Sequence, residues 1–136
     1  MSIQITGSGF YLPPHIENSK TTAQIIRKNE DWIISKTGVK ERRISKIDVD
    51  KMGAIAAEKA LNGNGAPDLI INASGVPKQT IPDTSVFFQK ELGLKSIPCF
   101  SIHGTCLSFL IALNNARSLI NTNVYERILI ISSDRG

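Results

Sequence analysis

The 136-residue chain predicts an α/β fold, and three observations carry that expectation. Short apolar runs of strand length alternate with segments patterned as helices, the order of a sheet whose strands are joined by crossover helices. Two of the runs, Leu69-Ile70-Ile71-Asn72-Ala73 and Arg127-Ile128-Leu129-Ile130-Ile131-Ser132, are continuous, as in strands covered on both faces. Capping residues and terminal glycines mark where the helices start and stop. The length fits one domain over 1–136, and there is no internal repeat, low-complexity segment or linker.

Ile3-Gln4-Ile5-Thr6 alternates and reads as a first strand, closed by Gly7-Ser8-Gly9. Pro13-Pro14 prevents a helix from following directly, so the glycine pair is no dinucleotide-binding fingerprint. Asn29 to Gly38 forms a short helix with an N-cap asparagine, Glu30 and Asp31 in its first turn, Lys36 in its last and a closing glycine. Asp50 caps a second helix to about Leu61, where Asn62-Gly63-Asn64-Gly65 breaks the pattern. The strand Leu69 to Ala73 follows. Asp83 caps a helix through Leu92 with Gly93 beyond it, and Pro98 to Ile102 reads as the next strand. The helix from Cys106 to about Ile120 is almost wholly apolar over Leu107 to Leu113 and is expected to be buried. The last strand is Arg127 to Ser132. The chain then stops at Ser133-Asp134-Arg135-Gly136 without a closing helix, which reads as a truncated α/β domain.

Hydrophobic residues make up 41% of the chain and charged ones 21%, which excludes disordered and collagen-like classes. No run is long enough to cross a bilayer, and Met1-Ser2-Ile3-Gln4-Ile5 lacks the blocks of a signal peptide, so a cytoplasmic location without membrane attachment is expected. Cys99 and Cys106 are then reduced thiols, and the glycosylation-type Asn72-Ala73-Ser74 is accidental. Net charge is +4, with eight of the sixteen Lys and Arg residues between Arg27 and Lys51. Such a cluster suits phosphorylated cofactors or acidic proteins. It contains no nucleic-acid recognition module, and nucleic acid is not the expected partner.

Ser101-Ile102-His103-Gly104-Thr105-Cys106-Leu107-Ser108-Phe109 sets a thiol between a strand and the start of a long helix, where main-chain N–H groups and the helix dipole favour a thiolate. Cys106 is the candidate nucleophile. Cys99, inside the preceding strand, is a core thiol. His103 lies three residues from the nucleophile, but the short turn aims its ring elsewhere, and His15 sits in a proline-adjacent loop. Trp32, the single tryptophan, stands one helical turn before Lys36, a pair able to stack on a base and meet a phosphate. No metal site is expected.

Trp32-Ile33-Ile34-Ser35-Lys36-Thr37-Gly38-Val39-Lys40-Glu41-Arg42 resembles the early helix and loop of β-ketoacyl-ACP synthase III. Met52-Gly53, Leu69 to Ala73, Ile81-Pro82, Leu92-Gly93, the cysteine turn and Ile130-Ile131-Ser132-Ser133-Asp134 follow in that family's order. The resemblance implies the N-terminal part of a thiolase-like fold, a mixed sheet with covering helices, incomplete without a C-terminal half. It implies that Cys106 accepts an acyl group, that Trp32 and Lys36 contact coenzyme A, and that Ile81 lines an acyl pocket across a dimer interface. Lys40, Arg42, Arg43 and Lys46 are then candidates for contact with an acidic carrier protein or with the phosphates of coenzyme A. No tightly bound cofactor is implied, coenzyme A thioester being the substrate. His103-Gly104-Thr105 and Leu107-Ser108-Phe109 depart from the family's small residues around its cysteine, as in relatives from specialised metabolism. The family's histidine and asparagine are expected beyond Gly136.

The expected function is acyl transfer from acyl-coenzyme A or acyl-carrier protein to Cys106, followed by condensation with malonyl-carrier protein or transfer to another acceptor. The alternative is a catalytically incomplete half that pairs with an active thiolase-like partner in a structural or regulatory role.

Overall fold

A computed structural model describes residues 3–135; Met1 and Ser2, which open the stretch read for a leader, and Gly136 lie outside it. The chain divides into two compact units, Leu12–Lys46 on one side and Met1–Tyr11 with Ile47–Gly136 on the other.

In the smaller unit, strand β1 (His15–Asn18) leads into helix α1 (Ser19–Ile25), and helix α2 (Glu30–Thr37) leads into strand β2 (Glu41–Ile44). The two strands pair antiparallel, His15 opposite Ile44 and Asn18 opposite Glu41. This hairpin of distant segments is not legible in the sequence, because both strands are short, polar and exposed. Its helices have legible starts. The Asn18 and Asn29 side chains accept the N–H groups of Thr21 and Trp32, each three residues on, and Gly38 closes α2 in the left-handed conformation with φ 70.

The larger unit is a sheet between helices. Helix α3 (Val49–Leu61), strand β3 (Leu69–Asn72), helix α4 (Ser85–Glu91), strand β4 (Cys99–Ser101), a 3-10 turn (Thr105–Leu107), helix α5 (Ser108–Asn121) and strand β5 (Ile128–Ile131) follow in order. The strands are parallel in the order β4-β3-β5, with Ile70 opposite both Cys99 and Leu129. All four residues of β3 are buried, as its unbroken apolar run requires. On one face Ile70, Leu129 and Ile131 pack with Ala57 and Phe88; on the other Leu69 and Ile71 pack with Ala112 and Ala116 of α5. Gly53 is required on α3, because a Cβ there would lie 2.3 Å from Phe88 Cε1 and 2.9 Å from Ile131 Cγ2.

Three expectations are corrected. Ile3 to Thr6 forms no strand; it runs alongside α3, where a Cβ on Gly7 or Gly9 would meet the carbonyl oxygens of Ala60 or Ala56 at 2.0 and 2.1 Å. The glycines are there for close approach to a helix backbone. No main-chain group of residues 3–9 is hydrogen-bonded among the described residues. A cavity of about 430 Å³, lined by Ile5, Gly53, Ala57, Leu113, Ile120 and Ile130 among others, lies between this segment and β5. Ile131 and Arg127 carbonyls accept from the β3 side, so by alternation Ile128 and Ile130 turn their main-chain groups to the other edge, where no strand pairs among the described residues.

Secondly, α5 is not buried around its circumference. Ser108, Ala112 and Ala116 form a narrow stripe against the sheet, while Leu107, Phe109, Leu110 and Ile111 are exposed, Leu110 at 60%. The first turns of α5 are apolar on more than one side, and the described residues cover one of them. Thirdly, Asp48 rather than Asp50 precedes α3, and Asp50 occupies its first turn.

Candidate active site

Cys106 lies at the carboxyl end of the sheet, where parallel α/β folds place their ligands. Strand β4 ends at Ser101, Ile102 donates its N–H to the Asn72 carbonyl at 2.8 Å, and the chain turns into α5 through the 3-10 turn that holds the cysteine. The thiol is exposed. Thr105, immediately before it, has φ 50, a left-handed conformation that a β-branched residue adopts only under constraint. The Cys106 N–H has no acceptor among the described residues, so it is free to meet a ligand.

Cys99 is half-buried and packs against the cluster around Phe88, as a core thiol does. His103 is exposed and makes no hydrogen bond among the described residues. Ile81 is 87% exposed on the segment between β3 and α4. That segment is tied down around it: Gln79 Nε2 donates to the Ile81 carbonyl at 2.8 Å, and Thr84 Oγ1 donates to the Gln79 carbonyl at 3.0 Å and accepts from Lys78 N–H at 3.0 Å. Lys78 Nζ reaches the buried Asp50 carboxylate at 2.7 Å and stands 5.0 Å from the Phe87 ring centre. The hydrogen bond to Asp50 raises the Lys78 pKa above the ordinary lysine value, with partial desolvation opposing it.

A buried polar chain beneath the turn was missed in the sequence. The Asp83 carboxylate accepts from Ser85 N–H at 2.9 Å, from the Ser85 hydroxyl, and from Ser101 Oγ at 2.9 Å. Asn72 Nδ2 donates to Ser101 Oγ at 2.8 Å, and Asn72 Oδ1 accepts from Ser74 N–H and Oγ. Ser74 Oγ in turn accepts from Ser133 N–H at 3.0 Å. The carboxyl ends of all three strands, and the segment bearing Ile81, are thus joined by hydrogen bonds that are buried from Asn72 through Ser74 to Ser133 and part-buried at Ser101 and Asp83. The signal was an asparagine inside an otherwise apolar strand.

In the smaller unit Trp32 is 42% exposed on α2. The cation over its ring is Lys28, 5.5 Å from the centroid and four residues before Trp32, whereas Lys36 is exposed in the last turn of α2. Arg42 pairs with Glu17 across the hairpin, and Arg43 donates to the Pro13 carbonyl, so two cations of the basic cluster are already engaged. Among the described residues no group of three His, Cys, Asp or Glu side chains could hold a metal ion, and no helix is long and apolar enough to cross a membrane.

The profile of 3-oxoacyl-[acyl-carrier-protein (ACP)] synthase III matches residues 100–136, the stretch that carries Cys106, α5 and β5. The chain is 35% identical over 138 residues to the β-ketoacyl-[acyl-carrier-protein] synthase III of Clostridium acetobutylicum, covering 98% of this chain and 42% of that protein. It is 33% identical over 141 residues to the enzyme of that name from Chlamydia trachomatis, covering 99% and 43%. Among solved structures, the 3-oxoacyl-[acyl-carrier-protein] synthase III of Aquifex aeolicus superposes with a TM-score of 0.88 at 33% identity, over 94% of this chain and 43% of that one. The priming β-ketosynthase of the R1128 polyketide pathway superposes at 0.86 and 25% identity, over 95% and 40%.

Strand order, helix placement and the cysteine turn therefore make this a thiolase-like α/β fold of the condensing-enzyme class. Within that class, the chain is similar over almost its whole length to part of the β-ketoacyl-ACP synthase III proteins. It spans about two-fifths of the length of the relatives it matches.

Proposed function

We propose that this chain provides the acyl-accepting cysteine of a β-ketoacyl-ACP synthase III-type condensing reaction, with Cys106 as the nucleophile. Its exposed sulfur, on a constrained turn with an unengaged main-chain N–H beside it, is the observation that carries the reading. The Cys106 thiolate attacks the carbonyl carbon of an acyl-coenzyme A or acyl-carrier-protein thioester. A new carbon–sulfur bond forms, the old one breaks, and the departing thiolate takes up the proton that Cys106 lost. The bond broken and the bond made are both thioesters, so little bond energy is lost. The Cys106 N–H is a donor for the negative charge that develops on the carbonyl oxygen.

Trp32 and Lys36 are the candidates for stacking on coenzyme A and meeting its phosphates, with Lys28 already showing that the indole face accepts a cation. Lys40 and Lys46 are candidates for carrier-protein contact. Ile81, exposed on a segment fixed from both ends, suits an apolar pocket shared with a second copy. A cytoplasmic location belongs to the same reading.

Condensation with malonyl-carrier protein requires a carbanion, left on the acetyl carbon when carbon dioxide departs, and its attack on the acyl-cysteine; the step needs hydrogen-bond donors to the enolate oxygen rather than a base. In this reading those donors, the histidine and asparagine that the resemblance implies, come from further polypeptide. The bare edge of β5, the cavity beside it and the apolar outer face of α5 are the surfaces where that polypeptide would pack. The test is reconstitution: the chain is combined with the remaining length of the Clostridium acetobutylicum relative, an acyl-coenzyme A and malonyl-carrier protein. Product that depends on both polypeptides and disappears with Cys106→Ser supports the proposal; equal product with Cys106→Ser assigns this chain a structural role instead.

A further inference from the structure

Cys106 is held by a serine two residues after it. Ser108 is buried at the first position of α5, and its Oγ accepts the Gly104 N–H at 3.0 Å while donating to the Thr105 carbonyl at 2.8 Å. Both partners lie on the two residues that precede the cysteine. The Thr105 carbonyl also accepts the Ser108 N–H, and the Gly104 carbonyl accepts from Leu107 N–H at 3.0 Å and from the Thr105 hydroxyl at 2.8 Å. Thr105 is the one β-branched residue among the four non-glycine residues with positive φ among those described. A threonine in that conformation relaxes unless its neighbours over-determine it, and the buried hydroxyl is the side chain that ties both flanking peptides. Gly104 lies against the start of α5, where a Cβ would meet the end of the exposed Ile111 side chain at 2.5 Å and the Ser108 nitrogen at 3.7 Å.

We infer that Ser108 is a positioning residue: its hydroxyl pins Thr105 in the left-handed conformation and so aims the Cys106 main-chain N–H, not merely the sulfur, at the carbonyl under attack. This rests on Cys106 being the acyl acceptor. The consequence is selective. Attack on a thioester builds charge on the carbonyl oxygen and needs a correctly aimed N–H, whereas alkylation by iodoacetamide displaces iodide at a saturated carbon and needs only an accessible thiolate.

Ser108→Ala is therefore compared with the wild-type chain in two reactions of the same thiol, acylation by acetyl-coenzyme A and alkylation by iodoacetamide, both followed by intact mass. Acylation slows by about tenfold to a hundredfold while alkylation stays within about twofold. Parallel loss of both rates, or no loss of either, overturns the inference. A second measurement on the wild-type chain needs no variant: the Gly104 amide, bonded to a buried hydroxyl, exchanges with deuterium far more slowly than the exposed Ile5 amide, which has no acceptor among the described residues. Equal exchange overturns the pin. If the wild-type chain takes up no acyl group at all, the reading of Cys106 fails, and amide exchange still decides whether Ser108 holds the turn.

Discussion

Gly53→Ala tests whether the packing that carries the site has been read correctly. Two effects oppose each other. In a helix interior alanine is favoured over glycine by about 0.5–1 kcal/mol. Against that, the new Cβ arrives 2.3 Å from Phe88 Cε1 and 2.9 Å from Ile131 Cγ2. Phe88 is fully buried and is enclosed by Ala57, Ile70, Leu129 and Ile131, so its ring has no space into which to retreat. Overpacking of this kind costs about 1–3 kcal/mol, and a contact so far inside van der Waals distance belongs at the upper end. The net expectation is a loss of about 2 kcal/mol, or about 6–10 °C in Tm for a chain of this size. Urea unfolding followed by circular dichroism measures it, with the exposed Lys51→Ala on the same helix as a control that moves by less than about 0.5 kcal/mol. A Gly53→Ala chain as stable as wild type, or more so, would mean that α3 does not lie against Phe88 as described.

Two further perturbations reach other parts of the molecule. Hydrogen bonds from the Thr22 hydroxyl and from Arg42 hold the Glu17 pKa below the ordinary glutamate value, so the carboxylate stabilises the β1–β2 hairpin at neutral pH. A lowered pKa contributes stability above the unfolded value and loses it as pH falls through the folded one. Amide exchange in β1 and β2 should therefore accelerate as pH drops below the usual glutamate range, after correction for intrinsic rates, and Glu17→Gln should flatten that dependence; an unchanged profile counts against the assignment. Leu110→Glu places a charge on the exposed face of α5, and it should reduce both dye binding to apolar surface and concentration-dependent association without lowering Tm. A large fall in Tm would show that Leu110 is packed.

Helices with local signals were legible in the sequence. Asn29 and Gly38 bound α2 as read, because a cap is a contact between residues three or four apart. The strands Leu69–Asn72 and Ile128–Ile131 were legible from their unbroken apolar runs. The strand expected at Ile3–Thr6 was not formed: alternation makes a strand possible, but among the described residues no main-chain hydrogen bond joins this segment to the open edge of β5. The α5 helix was found but its environment was misjudged: apolar composition reports what a helix can bury against, while the described residues cover one side. Around the site, Cys106 announced itself by its place between strand and helix. The Asn72–Ser101–Asp83 chain did not, because its partners are brought together by the crossover; the Ser108 contacts are local but depend on the left-handed Thr105, which composition does not announce, and small polar residues are common in turns.

The most direct test of the account is where an acyl group goes. The chain is incubated with acetyl-coenzyme A, and its peptides are then mapped by mass spectrometry before any reducing step. A single acetyl adduct on the peptide containing Cys106, absent from Cys106→Ser and not transferred to Cys99, is the expected result. Acetylation spread over lysines, or an adduct that survives Cys106→Ser, would contradict it.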